Sequence, residues 1–526
     1  MSGFAVLFAA WVIANPIGGA ADEPSHYVKA LGAAHGQWSG DVVVRPAPHM
    51  TPHDQFMAVV TRSFRIPARF ALQGGHPNAP LSCIIDNQVS AACQRLPLAS
   101  WALDPVIPAP GAWNNRPVLT APNAGGPQAS YVGAYHPFMY VPIGAAARIA
   151  GTAGRGLLAA RATGALICLA LLAGALRLTR SRGTLLGILL GATPTAVFLA
   201  SAVTTNSMEI FASLCFLSAG LALVSGSWRL ETWVWFALAG SVLALAKATG
   251  PAWLGFNAAV IMALLGLRGA VVLVREQRRC LVAAVGVVSA SALLSLWWTV
   301  TNVSGVASSL AIQNPDFGGV ARWLPAILDG SIGLFGWCDT PLPDGLYLLG
   351  RGLLGSVALA ALLIGSWKHR LLLVGATVVH AGFTIALVTS NPGVCVDGQA
   401  RYTLAIGLVV PMLCGHVFAE RGHRIPSRIR LALWSAAVTG MASLQFGAWY
   451  VNSHRYAVGG TGPWNFLASP DWSPPGGWWP WLACAGVGSV FILGGAMFWP
   501  RSFEHGSTAP VLRPERLPAP MGAGQP

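Results

Sequence analysis

ADEPSHYVKALG, residues 21–32, follows directly on an apolar run that begins near Gly3, and it places Asp22 and Glu23 where the chain leaves that run. The run has no basic segment before it and many apolar segments after it, which favours a retained membrane helix over a cleaved leader. Both carboxylates then stand at a membrane edge, where charge is ordinary on the aqueous side and costly on the other. Two readings stay open: an exposed acidic pair in the first turn of a Pro-started helix, or a reaction centre. His26 and Lys29 follow, one turn apart from each other and facing the same region if the segment after Pro24 is helical.

Composition supports the membrane setting. Of 526 residues, 54% are hydrophobic and 10% charged, with a mean hydropathy of +0.57, whereas soluble domains carry about 25% charged residues. The 61 Gly, 37 Pro and 21 Trp suit packed membrane helices and interfacial anchoring. A net charge of +14 invites a nucleic-acid reading. The basic residues instead flank apolar segments, as membrane topology requires, so no nucleic-acid partner is expected.

Twelve apolar runs are long enough to cross a bilayer, near 3–19, 157–177, 184–203, 208–226, 231–248, 252–273, 280–300, 346–366, 370–389, 403–419, 430–450 and 478–499. Arg177, Arg180, Arg182, Arg229, Arg275, Arg278, Arg279, Lys368, Arg370, Arg421, Arg424, Arg428 and Arg430 all fall in even-numbered connections. The positive-inside rule puts those connections and both termini in the cytoplasm. Residues 20–156, 301–345, 390–402 and 451–477 are then exported, and 20–156 is long enough for a small subdomain held to the membrane through HPFMYVP at 136–142. The predicted fold is an all-α polytopic membrane domain over 1–499 with this insertion. A proline-rich cytoplasmic tail over 500–526 is predicted to be disordered.

Cys83, Cys93, Cys338 and Cys395 lie in exported loops, where an oxidising compartment allows Cys83 to pair with Cys93 and Cys338 with Cys395. No CxxC or clustered His supports a metal-thiolate site, and metal ligation is left unassigned. Around the same outer side gather Thr204, Thr205, Asn206 and Glu209 at the fourth span and Lys247 at the end of the fifth. Glu209 and Lys247 can form an interfacial ion pair, or Lys247 can bind a lipid phosphate. GWCDTPLPDG at 336–345 adds Asp339 and Asp344, and CVDGQARY at 395–402 adds Asp397, Gln399, Arg401 and Tyr402. Arg401 fits either a phosphate site or a snorkelling anchor. Arg161 and Arg351 call for a partner or polar cavity if they lie below the interface. No Walker loop or dinucleotide-type glycine loop stands in a strand-to-helix context.

ADEPSHY, YHPFMYVP, TTNSMEI, GWCDTPLP and GQARY, in that order and at those membrane positions, resemble the family of predicted bacterial membrane proteins called domain of unknown function 2142, placed among the GT-C-like glycosyltransferases. The resemblance implies a GT-C-like multi-helix fold in the bacterial cytoplasmic (inner) membrane with its reaction on the extracytoplasmic side. It also implies a polyprenyl-phosphate-linked sugar as donor and an envelope glycan or glycolipid as acceptor. The acidic residue after the first helix is the characteristic base of that class and maps onto Asp22 or Glu23. Arg401 and Lys247, with Lys29 and His26, would hold the donor phosphate; Glu209, Asp339, Gln399, Tyr402 and His136 are candidate substrate contacts. No cofactor is required by this reading, and a divalent cation is admitted as an option. A transporter or lipid flippase and a noncatalytic envelope scaffold are the competing functions, although no half-repeat supports the transporter.

Overall fold

The computed structural model describes residues 1–45, 50, 52–72, 81–84, 88–95, 127–303, 317–390 and 400–499. Among them, eight helices are long and apolar enough to cross a membrane: Ala153–Leu178, Asn206–Val224, Gly250–Asn302, Asp344–Ile364, Trp367–Leu387, Leu404–Arg424, Ser427–Val458 and Trp478–Met497. The pair Arg182–Gly191 and Pro194–Ala200, bent by 66°, makes a ninth if counted as one span. The chain is an almost entirely α-helical multi-pass membrane protein.

Each of the twelve expected spans falls on a helix, and eight of these helices, or nine with the bent pair, are long and apolar enough to count as crossings by themselves. Ser2–Ala14 and Leu230–Ala246 have 13 and 17 residues, short for an independent span. The expected sixth and seventh spans lie in Gly250–Asn302, 53 residues in which two helices follow one another across a kink. A straight helix of that length would measure about 80 Å, against a hydrocarbon core of about 30 Å. Non-helical backbone at Gly266 and Gln277 interrupts it, and the segment between them carries Arg268, Arg275 and Glu276. The third expected span bends because Pro194 cannot continue the preceding helix. Thr193 caps the new one by accepting from Ala196 N at 3.3 Å.

Burial orders these helices from centre to rim. Asn206–Val224 is 89% buried over its apolar window and forms the axis, whereas Gly250–Asn302 is 17% buried and turns Val271, Val282, Leu293 and Trp297 outward. So apolar a surface is a liability in water and ordinary against lipid. Close crossings rely on small residues. Gly183, Gly187 and Gly191 repeat every fourth position on Arg182–Gly191, and a Cβ added to Gly183 would stand 2.6 Å from Gly415 O on the facing Val409–Arg421 helix. A similar contact of Gly3 with Gly488 joins the first helix to the last, Trp478–Met497.

The region after the first helix starts with Glu23–Ala34 and includes a three-stranded antiparallel sheet. The strands are β1 (Asp41–Val42), β2 (Arg62–Arg65) and β3 (Pro127–Ser130), with Asp41 opposite Ser63 and Arg62 opposite Ser130. The expected Cys83–Cys93 disulfide is formed. Cys395, and with it the expected pairing to Cys338, lies outside the described residues, as do Asp397, Gln399 and the tail 500–526. A second, two-stranded ribbon pairs β4 (Leu334–Phe335) with β5 (Thr340–Pro341), and its turn carries the GWCD sequence.

Candidate functional site

Asp22 occupies the N-cap position of Glu23–Ala34 with left-handed backbone, φ 65° and ψ −1°. An aspartate there ordinarily caps its helix through the side chain, and Asp22 makes no such bond. Its Oδ1 accepts from Tyr131 Oη at 2.6 Å and its Oδ2 from Arg401 Nη2 at 2.5 Å. The left-handed turn therefore directs the carboxylate away from the helix it precedes, toward groups 109 and 379 residues later in the chain. Burial pushes the Asp22 carboxyl up and Arg401 pulls it down, with a net position below the usual carboxylate range. Tyr131 is driven well above its ordinary value by burial and by the Asp22 charge, so it stays a hydrogen-bond donor.

Arg401 lies in the single turn Ala400–Tyr402 that precedes Leu404–Gly407. It also donates to Ala21 O at 3.3 Å and to Tyr402 Oη at 3.2 Å. The Tyr402 ring meets two cations, with Lys247 Nζ 4.4 Å and Arg401 Cζ 5.0 Å from its centroid. Such contacts contribute roughly 0.5–2 kcal/mol each. A narrow cleft opens beside this group, lined among others by Ala21, Thr195, Phe198, Gly336, Cys338 and Arg401. The arrangement combines a fixed carboxylate with two cations and an aromatic face at one end of the helical bundle.

Glu23 points elsewhere. Its Oε1 accepts from Arg161 Nε at 2.7 Å and from Val203 N at 3.1 Å, and its Oε2 from Arg161 Nη2 at 2.5 Å. Arg161 fills its remaining reach with the carbonyls of Val12, Asn15 and Pro16, at 3.2, 2.8 and 2.7 Å. The pair is buried on both sides and ties the first helix to Ala153–Leu178, which is the partner that an arginine at that depth requires. Arg351 finds its partner in Asp329, with Nε 2.7 Å from Oδ1.

Among the other expected site residues, His26 is near Asp22 and Lys29 is not. His26 Nδ1 stands 2.5 Å from Tyr140 Oη. Burial drives its ring down to about 3, against the opposing pull of Asp22 and aided by Arg401 and Lys247, so it is neutral near pH 7. A neutral His26 ring can still meet a phosphate oxygen as a hydrogen-bond donor. Lys29 turns away into the inserted region, donating to Gly133 O at 2.6 Å and to Trp38 O, with Phe64 and Trp298 around it. Burial, and then Arg62, lowers it to about 7.

Glu209 and Lys247 do not meet as an ion pair. Asn206, one turn earlier than Glu209, takes the ammonium through its Oδ1 at 2.6 Å, and Glu209 accepts from Thr249 Oγ1 at 2.7 Å. Asp339 is committed to its own turn, with Trp337 N and Thr340 Oγ1 on Oδ1 and Arg455 Nη2 on Oδ2 at 2.8 Å. That turn reaches the site through its backbone, since Gly336 O accepts from Ala21 N at 3.0 Å. His136 holds the inserted region to Gly250–Asn302, with Nε2 3.0 Å from Ser295 O and 3.2 Å from Thr299 Oγ1.

A second polar cluster was not anticipated. His369, His416 and Glu420 place their ligand-type atoms within 4.8 Å of one another, a set that can hold a metal ion. The only linear trace of it is the His-x-x-x-Glu spacing at 416 and 420, because the third member comes 47 positions earlier from another helix. It lies toward the end of the Leu404–Arg424 helix that is farther from Arg401. Fifteen residues to His416 and nineteen to Glu420, at helical rise, separate the two by about 22–28 Å.

A family model described as a predicted membrane protein, DUF2142, matches residues 4–410. No curated protein and no solved structure matches the chain. With more than three-quarters of its length covered by that model, the chain belongs to the DUF2142 family of predicted membrane proteins.

Proposed function

We propose that this protein is a GT-C-type glycosyltransferase that moves a sugar from a polyprenyl-phosphate donor to a cell-envelope glycan or glycolipid. The observation that carries this reading is the convergence of the Asp22 carboxylate with Arg401, Tyr402 and Lys247 beside a cleft at one end of the bundle. Asp22 takes the proton from an acceptor hydroxyl as that oxygen bonds to the anomeric carbon. The bond from the anomeric carbon to the phosphate oxygen breaks in the same step. The lipid phosphate leaves with the bonding pair toward Arg401 and Lys247, where positive charge is most valuable as negative charge develops. One direct displacement inverts the anomeric centre.

Asp22 is preferred to Glu23 as base because Glu23 is enclosed by Arg161 and Val203 N with no exposed side chain. The membrane layout that goes with this reading has twelve crossings. Both termini are cytoplasmic and the Asp22 end is extracytoplasmic in the bacterial inner membrane, supported by the Lys and Arg bias of the even connections. A noncatalytic envelope scaffold is the second reading. It is favoured by the direct Asp22–Arg401 contact, which would then be purely structural.

The test is transfer from a panel of radiolabelled polyprenyl-phosphate sugars to isolated envelope acceptors by purified protein in lipid, with and without a chelator. Transfer with inverted anomeric configuration is the expected result. Absence of transfer under conditions in which a related control enzyme works would favour the scaffold.

A further inference from the structure

We propose that His369, His416 and Glu420 bind one divalent transition-metal ion of the zinc class, at the end of the bundle remote from Asp22. His416 and Glu420 are four residues apart on Val409–Arg421 and so share one helix face. His369, near the start of Trp367–Ser390, meets them from the neighbouring helix. Glu420 Oε1 is 3.2 Å from His416 Nε2, and Glu420 Oε2 is 3.4 Å from His369 Nε2. Two ligands bound at about 2.0–2.1 Å to a tetrahedral ion stand about 3.3 Å apart. Each imidazole nitrogen stands at about that distance from one Glu420 oxygen, His416 from Oε1 and His369 from Oε2, so the carboxylate can meet an ion between the rings through one oxygen or both.

The surroundings fit coordination. Ser366 Oγ lies 3.1 Å from His369 Nδ1, which engages the far ring nitrogen and leaves Nε2 toward the cluster. Outer hydrogen bonds of this kind orient metal-bound imidazoles. The two rings meet edge to face at 85°, so neither covers the other's nitrogen. Of the flanking cations, Lys368 is drawn off to Leu264 O at 2.7 Å and Arg370 to Leu362 O at 2.8 Å, while Arg421 directly follows Glu420 in the chain. Both histidines are buried, whereas Glu420 is 47% exposed, which leaves an aqueous side for entry and for a fourth, water ligand. Two imidazoles and one carboxylate suit zinc or cobalt better than calcium or magnesium, which favour all-oxygen shells.

The ion would clamp Trp367–Ser390 to Val409–Arg421. Lying about 22–28 Å from Arg401 by helical rise, it would not serve a phosphate held there. Without an ion, the same three side chains would form a hydrogen-bonded clamp in which each imidazole N–H donates to Glu420, and titration with metal separates the two states.

Untagged protein in lipid nanodiscs, stripped with a chelator, would be titrated with Co2+ while its visible absorption is followed, then challenged with Zn2+. One Co2+ per chain with intense tetrahedral-type bands, displaced by one equivalent of Zn2+, is expected. His416→Ala and Glu420→Gln should each weaken binding by about tenfold or more, while Asp22→Asn leaves it unchanged. Glu420→Gln preserves size and hydrogen bonding and so covers the case in which His416→Ala does not fold. No binding by the wild type at micromolar Co2+, or equal binding by Glu420→Gln, would overturn the assignment.

Discussion

Glu23 accepts three hydrogen bonds in a pocket with no exposed side chain, two from Arg161 and one from Val203 N. Asp22, one residue earlier, keeps 17% of its side chain exposed and takes its bonds from Tyr131 and Arg401 beside a cleft. Chemically similar groups at adjacent positions thus differ through the left-handed turn at Asp22, which sends one into the helix packing and the other to its edge. A dry, fully paired carboxylate organises structure, because its charge is costly to leave alone. One at an accessible edge, held ionised by a cation, is available for chemistry.

The largest expected effect falls on the enclosed member. Arg161→Met leaves Glu23 buried without its counter-charge and should cost roughly 3–5 kcal/mol, read as a large drop in unfolding midpoint in detergent. Near-wild-type stability would mean that the pair is not the clamp described. Next in size, Arg401→Gln should lower the transfer rate by about 10²–10³-fold, in line with loss of one preorganised donor. It should also shift the pH profile. Arg401 holds Asp22 below the usual carboxylate range, so the base form persists at low pH in the wild type. Removing that charge should move the acid limb of the rate profile to higher pH, and an unmoved limb would detach Asp22 from the rate.

Tyr131→Phe removes a hydrogen bond to a charged group, worth about 1.5–3 kcal/mol, and should move the same limb upward by less. The smallest effect is expected from Tyr402→Leu, which removes the ring that meets Lys247 and Arg401. A loss of roughly 0.5–2 kcal/mol should appear as weaker donor binding with little change in unfolding midpoint. An equal loss in both readouts would make Tyr402 a packing residue.

Helix positions were legible in the sequence because a run of apolar residues is itself the physical requirement for crossing lipid. Their division was legible in part: the non-helical Gln277 falls in the gap expected between 252–273 and 280–300, whereas the break at Gly266 lies inside an apolar run and hydropathy does not sense it. At the site, the residue types were legible and the partners were not. Arg161 and Arg401 each stood out as cations near a membrane edge, yet which of two adjacent acids each would take depends on contacts 138 and 379 positions apart. Tyr131 carried no local signal. Glu209 and Lys247 looked like a pair by charge alone, and Asn206 and Thr249 intervened through geometry. His369, His416 and Glu420 escaped notice because their closeness belongs to the packing of two helices.

The most direct measurement compares sugar transfer by wild type, Asp22→Asn and Glu23→Gln, each purified in lipid and each checked for its unfolding midpoint. The expected result is a loss of about 10²–10⁴-fold in Asp22→Asn with a midpoint near wild type. Glu23→Gln should instead lose midpoint and retain transfer per folded molecule. Transfer that survives Asp22→Asn, or that disappears in a well-folded Glu23→Gln, would contradict the division of roles between the two carboxylates.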